Sequence, residues 1–207
     1  MRTAIPILIF ALVFFGGAAM ADEDIAFTVV THDGDFEVRD YPAFIVAQVI
    51  VTGSRDEAST EGFKLLADYI FGGNTRRQSI AMTAPVVQKP AAGEKIAMTA
   101  PVAQSGGDGA WTVRFTMPSA YTLATLPRPN DPRVQLVPVP SQRYAVVRFS
   151  GLAKVTEVER RTDALKGFMQ RQKLTGEGVA SLARYDPPWT LWFMRRNEVW
   201  IAVVPAG

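Results

Sequence analysis

Twice along the chain the same order of patterns recurs, and this recurrence narrows the choice of folds more than any other feature. Phe44–Val51 is rich in Val and Ile, the composition of a strand. Ser54 stands three residues before Glu57, the spacing of a helix capping box. Phe63, Leu66, Ala67 and Ile70 then fall at i, i+3, i+4 and i+7, one face of an amphipathic helix that Gly72-Gly73 ends. A strand over Ile80–Val86 follows, halted by Pro85. In the second instance the strand is Tyr144–Phe149, the capping pair is Thr156 with Glu159, and the inner helix face is Val158, Thr162, Leu165, Phe168 and Met169. A strand over Ser181–Tyr185 is then halted at Pro187, after a turn-rich stretch at Thr175–Gly178. Two strand–helix–strand halves predict a duplicated fold with a pseudo-twofold.

The remaining segments add strands. Phe36–Tyr41 and Trp111–Met117 alternate apolar and polar residues with the period of a half-buried strand. Val134–Val139 and Glu198–Val204 read the same way, and Pro118–Pro132 is a proline-containing connector. The heptapeptide Ile80–Val86 recurs identically as Ile96–Val102, so two adjacent strands closed by Thr and Pro are expected there. Strands dominate without parallel βαβ alternation. The fold class expected is therefore α+β: a distorted, half-open antiparallel β-barrel with two flanking helices packed outside.

The N-terminus reads as a leader. Arg2 precedes an apolar run from Ile5 to Phe15, and Ala19-Met20-Ala21 fits a cleavage site before Asp22-Glu23-Asp24. The run is shorter than the ~20 apolar residues of a stable span. Residues 1–21 are expected to be a signal peptide and 22–207 one domain, exported, with a periplasm as the favoured address and no stable membrane span after cleavage. Without the leader, 21 basic side chains face 20 acidic ones, a net +1 with no basic excess to suggest a nucleic-acid partner. The chain has no cysteine, which removes disulfides, thiol catalysis and cysteine metal sites. Its one histidine, His32, cannot build a multi-histidine zinc site. Nothing in the pattern specifies an oligomeric state or a catalytic residue, so a binding protein rather than an enzyme is expected.

Three blocks carry a family resemblance: Phe36-Glu37-Val38-Arg39-Asp40-Tyr41, the two Ile-Ala-Met-Thr-Ala-Pro-Val repeats, and Tyr185-Asp186-Pro187-Pro188-Trp189 with Arg195-Arg196-Asn197-Glu198-Val199-Trp200. From about Phe27 to Val203 the chain resembles the SOUL haem-binding proteins. The resemblance implies a distorted barrel with two helices, kinship with small-molecule-binding domains of some bacterial drug-responsive regulators, and non-covalent binding of haem or a related tetrapyrrole in an apolar groove beside the first helix. It implies basic residues for the haem propionates, but the matching positions here are Thr60, Asp68 and Thr190, none of them basic. Lys64 and the Arg76-Arg77 pair are cations that can substitute.

Candidate site residues follow. Phe63, Leu66, Ala67 and Ile70 are pocket wall or plain core, with Leu65 and Tyr69 on the adjoining flank. Met82 and Met98 are pocket residues or gap-fillers at equivalent places in the repeat. Trp189, Trp192 and Phe193 are a ligand platform or a cap on the barrel. His32 is the candidate axial ligand to haem iron or an ordinary surface residue. Arg195 and Arg196 with Glu198 are an anion site or, preferably, an ion-pair cluster holding the last strand. The leading functional reading is an exported haem or tetrapyrrole carrier, buffer or scavenger. The alternative is a module for another planar apolar small molecule or a protein partner, with haem affinity lost.

Overall fold

The computed structural model describes residues 23–90, 109–186 and 189–205. In chain order these form β1 (Glu23–Asp24), β2 (Thr28–Asp33), β3 (Phe36–Tyr41), β4 (Phe44–Gly53), α1 (Arg55–Ile70), β5 (Thr83–Ala84), β6 (Val86–Pro90) and β7 (Gly109–Thr116). Then come β8 (Gln135–Val139), β9 (Gln142–Ser150), α2 (Val155–Arg171), β10 (Leu174–Arg184), a 3-10 turn (Trp192–Met194) and β11 (Arg196–Pro205). The expected leader, the second heptapeptide with Met98, and Pro187 lie outside the described residues.

Nine strands form one antiparallel sheet in the order β2-β3-β9-β11-β10-β6-β7-β4-β8. The edge strands β2 and β8 do not pair with each other, so the barrel is distorted and open, with two helices, as the α+β reading expects. The order is symmetric about the β10–β6 pair, where Ala183 faces Val87. Outward from that axis, β11, β9 and β3 on one side answer β7, β4 and β8 on the other. The repeated unit is therefore strand–helix–strand–strand, β4-α1-β6-β7 and β9-α2-β10-β11, one strand longer than the sequence patterns indicate. The outer strand differs in origin: β8 follows its half in the chain, whereas β3 precedes its own.

Side-chain alternation along each strand gives the sheet one face for the helices. Leu66, Tyr69 and Ile70 of α1 pack on Ala47, Val49, Val113 and Phe115. Leu165, Phe168 and Met169 of α2, at the same spacing, pack on Ala145, Val147, Val199 and Ile201. A third cluster, Tyr41, Val146, Ala183 and Trp200, lies on the face away from the helices.

The local signals are uneven. Ser54 and Glu57 make the predicted capping box at the start of α1. The second box does not form: α2 starts at Val155 behind Lys154, which has no side-chain cap bond, so Thr156 is already inside the helix. Pro85 does stop a strand, but only the two-residue β5, and β6 resumes at once at Val86, since a residue without an N–H interrupts the ladder. Thr175–Gly178 is not a turn; it belongs to β10, with a register irregularity between Glu177 and Ser181. The buried line on α1 runs through Ala58, Gly62, Leu66 and Tyr69. Gly62 allows this close approach: a Cβ there would meet Val113 Cγ2 at 2.6 Å. The rotation leaves Phe63 at the exposed edge of the helix.

Candidate functional site

The site lies where the two helices begin, beside the symmetry axis of the sheet. Arg55, the first residue of α1, donates from Nη2 to the Ala153 carbonyl just ahead of α2, at 2.5 Å. Beneath them the last residue of β10, Arg184, lies opposite Val86 of β6 and Asn197 of β11. Val86 in turn faces Phe115 of β7, against whose ring Phe63 packs edge-on with centroids 5.3 Å apart. Arg184 Nη1 donates to Ser59 Oγ at 2.9 Å, and Phe63 is one helical turn beyond Ser59.

Immediately beyond Arg184 the chain leaves the sheet and returns at Arg196. This excursion carries Trp189, Trp192 and Phe193, respectively 82%, 59% and 54% exposed, with Leu191 and Met194 exposed beside them. The Trp192 and Phe193 rings stand at 88° with centroids 5.7 Å apart. The backbone bond Met194 N–H to Leu191 O, at 2.9 Å, closes the 3-10 turn. Arg195 Nε donates to Thr190 O at 2.8 Å, and the Asp186 carboxylate accepts from the Arg196 N–H at 2.5 Å. A run of large apolar side chains held this far into solvent marks an interaction surface.

The base of this shelf is fastened on the opposite face of the sheet. Tyr185 and Arg196 flank the excursion, and both bond to Glu198, which is fully buried. Glu198 also accepts from Arg39 Nη1 and Nη2 at 2.9 and 3.2 Å and from Trp200 Nε1 at 2.8 Å. Burial pushes the Glu198 carboxyl up, but the bonds from Arg39, Tyr185 and Trp200 outweigh it and hold the group below the usual carboxylate value. Burial next to that carboxylate raises the Tyr185 phenol, which stays protonated and donating.

The structure brings only part of the candidate set together. Phe63, Trp189, Trp192 and Phe193 present exposed aromatic surface. Leu66 and Ile70 are fully buried core, Ala67 and Leu65 are half-buried, and Tyr69 spends its hydroxyl on the Pro127 carbonyl. Met82 packs half-buried against the α1-side core. His32 is exposed on the outermost strand, four strands from β10 in the sheet order. Lys64, Arg76 and Arg77 are exposed, and Arg76 donates to the Thr125 carbonyl. Arg195 and Arg196 diverge, with Arg196 joining the Glu198 cluster.

Arg184 and Arg55 were missing from the candidates. A signal for Arg184 exists: by strand alternation it shares the helix-facing side with Leu182, where a charge is unexpected. Among the described residues no group of three or more His, Asp or Glu could hold a metal ion, and no helix is long and apolar enough to cross a membrane.

A family model described as SOUL heme-binding protein matches residues 22–202. Heme-binding protein 1 of Xenopus laevis is 28% identical over 166 residues, covering 80% of this chain and 82% of that protein. Heme-binding protein 2 of Mus musculus is 28% identical over 170 residues, covering 81% and 78%. Among solved structures the C-terminal domain of EcmrR superposes with a TM-score of 0.59 at 8% identity, over 83% of this chain and 98% of that one, a likeness of fold.

Proposed function

The chain belongs to the SOUL heme-binding protein family, and from that premise we propose that it binds haem or a related tetrapyrrole non-covalently on the shelf of Trp189, Trp192 and Phe193, with the exposed ring of Phe63 on α1 as a further aromatic contact. The observation that carries this reading is the run of exposed large apolar side chains at 189–194. A macrocycle has two flat apolar faces, and offset or edge-on aromatic contact suits them.

The energetics favour exchangeable binding. Covering roughly 300 Å² of such surface yields about 7 kcal/mol at ~25 cal/mol per Å². Association costs ~4–15 kcal/mol, so the aromatic surface alone holds a ligand weakly. That balance suits a carrier, buffer or scavenger. Met194 belongs to a residue type that ligates haem iron and lies on the shelf, whereas His32 lies four strands away. Export to a periplasm is part of the proposal and is supported by the leader-like pattern of residues 1–21.

A second reading has its own support. Thr60, Asp68 and Thr190 occupy the positions where the resemblance implies basic partners, which favours another planar apolar ligand or a protein partner on the same shelf. A hemin titration decides. The haem reading expects a saturable Soret shift with tryptophan quenching at one-to-one stoichiometry. Trp192→Ala is expected to weaken binding about tenfold, equivalent to ~1.4 kcal/mol. A spectrum indistinguishable from free hemin would overturn haem as the ligand.

A further inference from the structure

Beside the shelf the charges do not balance. The Arg184 guanidinium has one hydrogen bond, to Ser59 Oγ, and no ion pair among the described residues. Burial lowers its affinity for its proton, and repulsion from Arg55 and Arg195 lowers it further. Asp56 is the acid that offsets this, and its side chain is 84% exposed, with Oδ1 4.0 Å from Arg55 Nε. Among the described residues Arg55 Nε is itself buried without a hydrogen-bond partner, as is Oε1 of Gln88, whose Nε2 donates to the Arg55 carbonyl at 2.7 Å. Gln88 is only 5% exposed. The positive end of the α1 dipole adds to the excess. Cations gathered in a partly desolvated place are costly unless an anion completes them.

We propose that Arg184, flanked by Arg55, is a carboxylate anchor, so that this chain takes flat apolar ligands bearing an acidic group at the edge. A guanidinium offers a planar fork that matches a carboxylate with two parallel bonds. The anchor lies at the foot of the shelf, because Arg184 is the last sheet residue before the excursion and Arg195 the last residue of the excursion itself. In this proposal the acidic edge of a ligand lying on Trp189, Trp192 and Phe193 is placed at Arg184. The cations absent from Thr60 and Thr190 are supplied instead from one turn earlier on α1 and from the end of β10. The inference rests on the haem reading and deepens it, since haem carries two carboxylates at one edge.

The test compares hemin with hemin dimethyl ester on the full chain and on Arg184→Gln, with circular dichroism to confirm folding and Arg184→Lys as a charge-retaining variant. The anchor predicts that the intact protein binds hemin at least tenfold tighter than the ester. It also predicts that Arg184→Gln loses most of that preference while ester affinity stays constant, and that Arg184→Lys recovers part of it. Equal affinity of the intact protein for acid and ester overturns the anchor and leaves the shelf standing, and so does an unchanged preference in a folded Arg184→Gln. If Arg184→Gln does not fold, the acid-to-ester ratio of the intact protein decides alone. If neither compound binds, the shelf reading falls and the anchor falls with it.

Discussion

On the sheet face away from the helices, the two halves of the duplicated fold carry opposite charges at matching places. Glu198 of β11 lies opposite Arg148 of β9 in one half, and Arg114 of β7 lies opposite Gln48 of β4 in the other. Around Glu198 a closed cluster has formed, with Arg39, Arg196, Tyr185 and Trp200 all donating to one carboxylate. Among the described residues Arg114 has only a 3.0 Å bond to Gln48 Oε1, and burial lowers both it and the neighbouring Lys89. A duplicated backbone thus does not impose duplicated chemistry. The half with the ionic clamp is the half that projects the aromatic shelf, and the clamp grips both ends of that excursion.

The sharpest way to break this asymmetry is Glu198→Ala. It leaves Arg39 buried without its carboxylate and is expected to cost about 3–5 kcal/mol in urea unfolding. Arg114→Leu at the matching place should move stability by less than about 1 kcal/mol. Equal losses at the two positions would show that the halves are energetically alike after all. The same comparison has a pH form. Glu198 is held below its ordinary value of 4.5, so its contribution is complete above that pH and is lost as the pH falls through the folded value. Thermal melts between about pH 6 and pH 3 should therefore fall more steeply for the intact protein than for Glu198→Gln.

A smaller effect separates the helices. Gly62→Ala drives a methyl into Val113 and is expected to cost about 1–3 kcal/mol, whereas an unstrained exchange of Gly for Ala within a helix stabilises. A stabilised protein would mean that α1 can lift off the sheet without loss. Smallest is the capping contrast: Ser54→Ala should cost about 1 kcal/mol, and Thr156→Ala less than about 0.5 kcal/mol, since only α1 has a capping box. Matched denaturation curves of the two variants measure that difference directly.

What was legible was local. The stripe Leu66–Ile70 and its partner Leu165–Met169 announce two helices with one buried face each, and both faces are buried. Phe63 fits the same stripe but ends up at the surface, because helical period fixes an angle and Gly62 decides which line of that helix touches the sheet. Trp189, Trp192 and Phe193 stand out in sequence as aromatics beside a Pro-Pro break, but only the structure separates them from a core. Arg184 is the opposite case: its charge at a helix-facing strand position is visible, while its want of an acidic partner is not.

The sequence by itself determines a duplicated α+β chain of antiparallel strands with two helices, the first of them capped, because period, proline and glycine act over a few residues. Only the tertiary structure decides that β3 is taken from the N-terminal side to complete the second half, that Arg39 reaches Glu198 across 159 positions, and that Arg184 reaches Ser59 across 125. Strand order is settled by long-range backbone pairing, and charge balance by distances through space, and neither leaves a periodic trace in the order of residues.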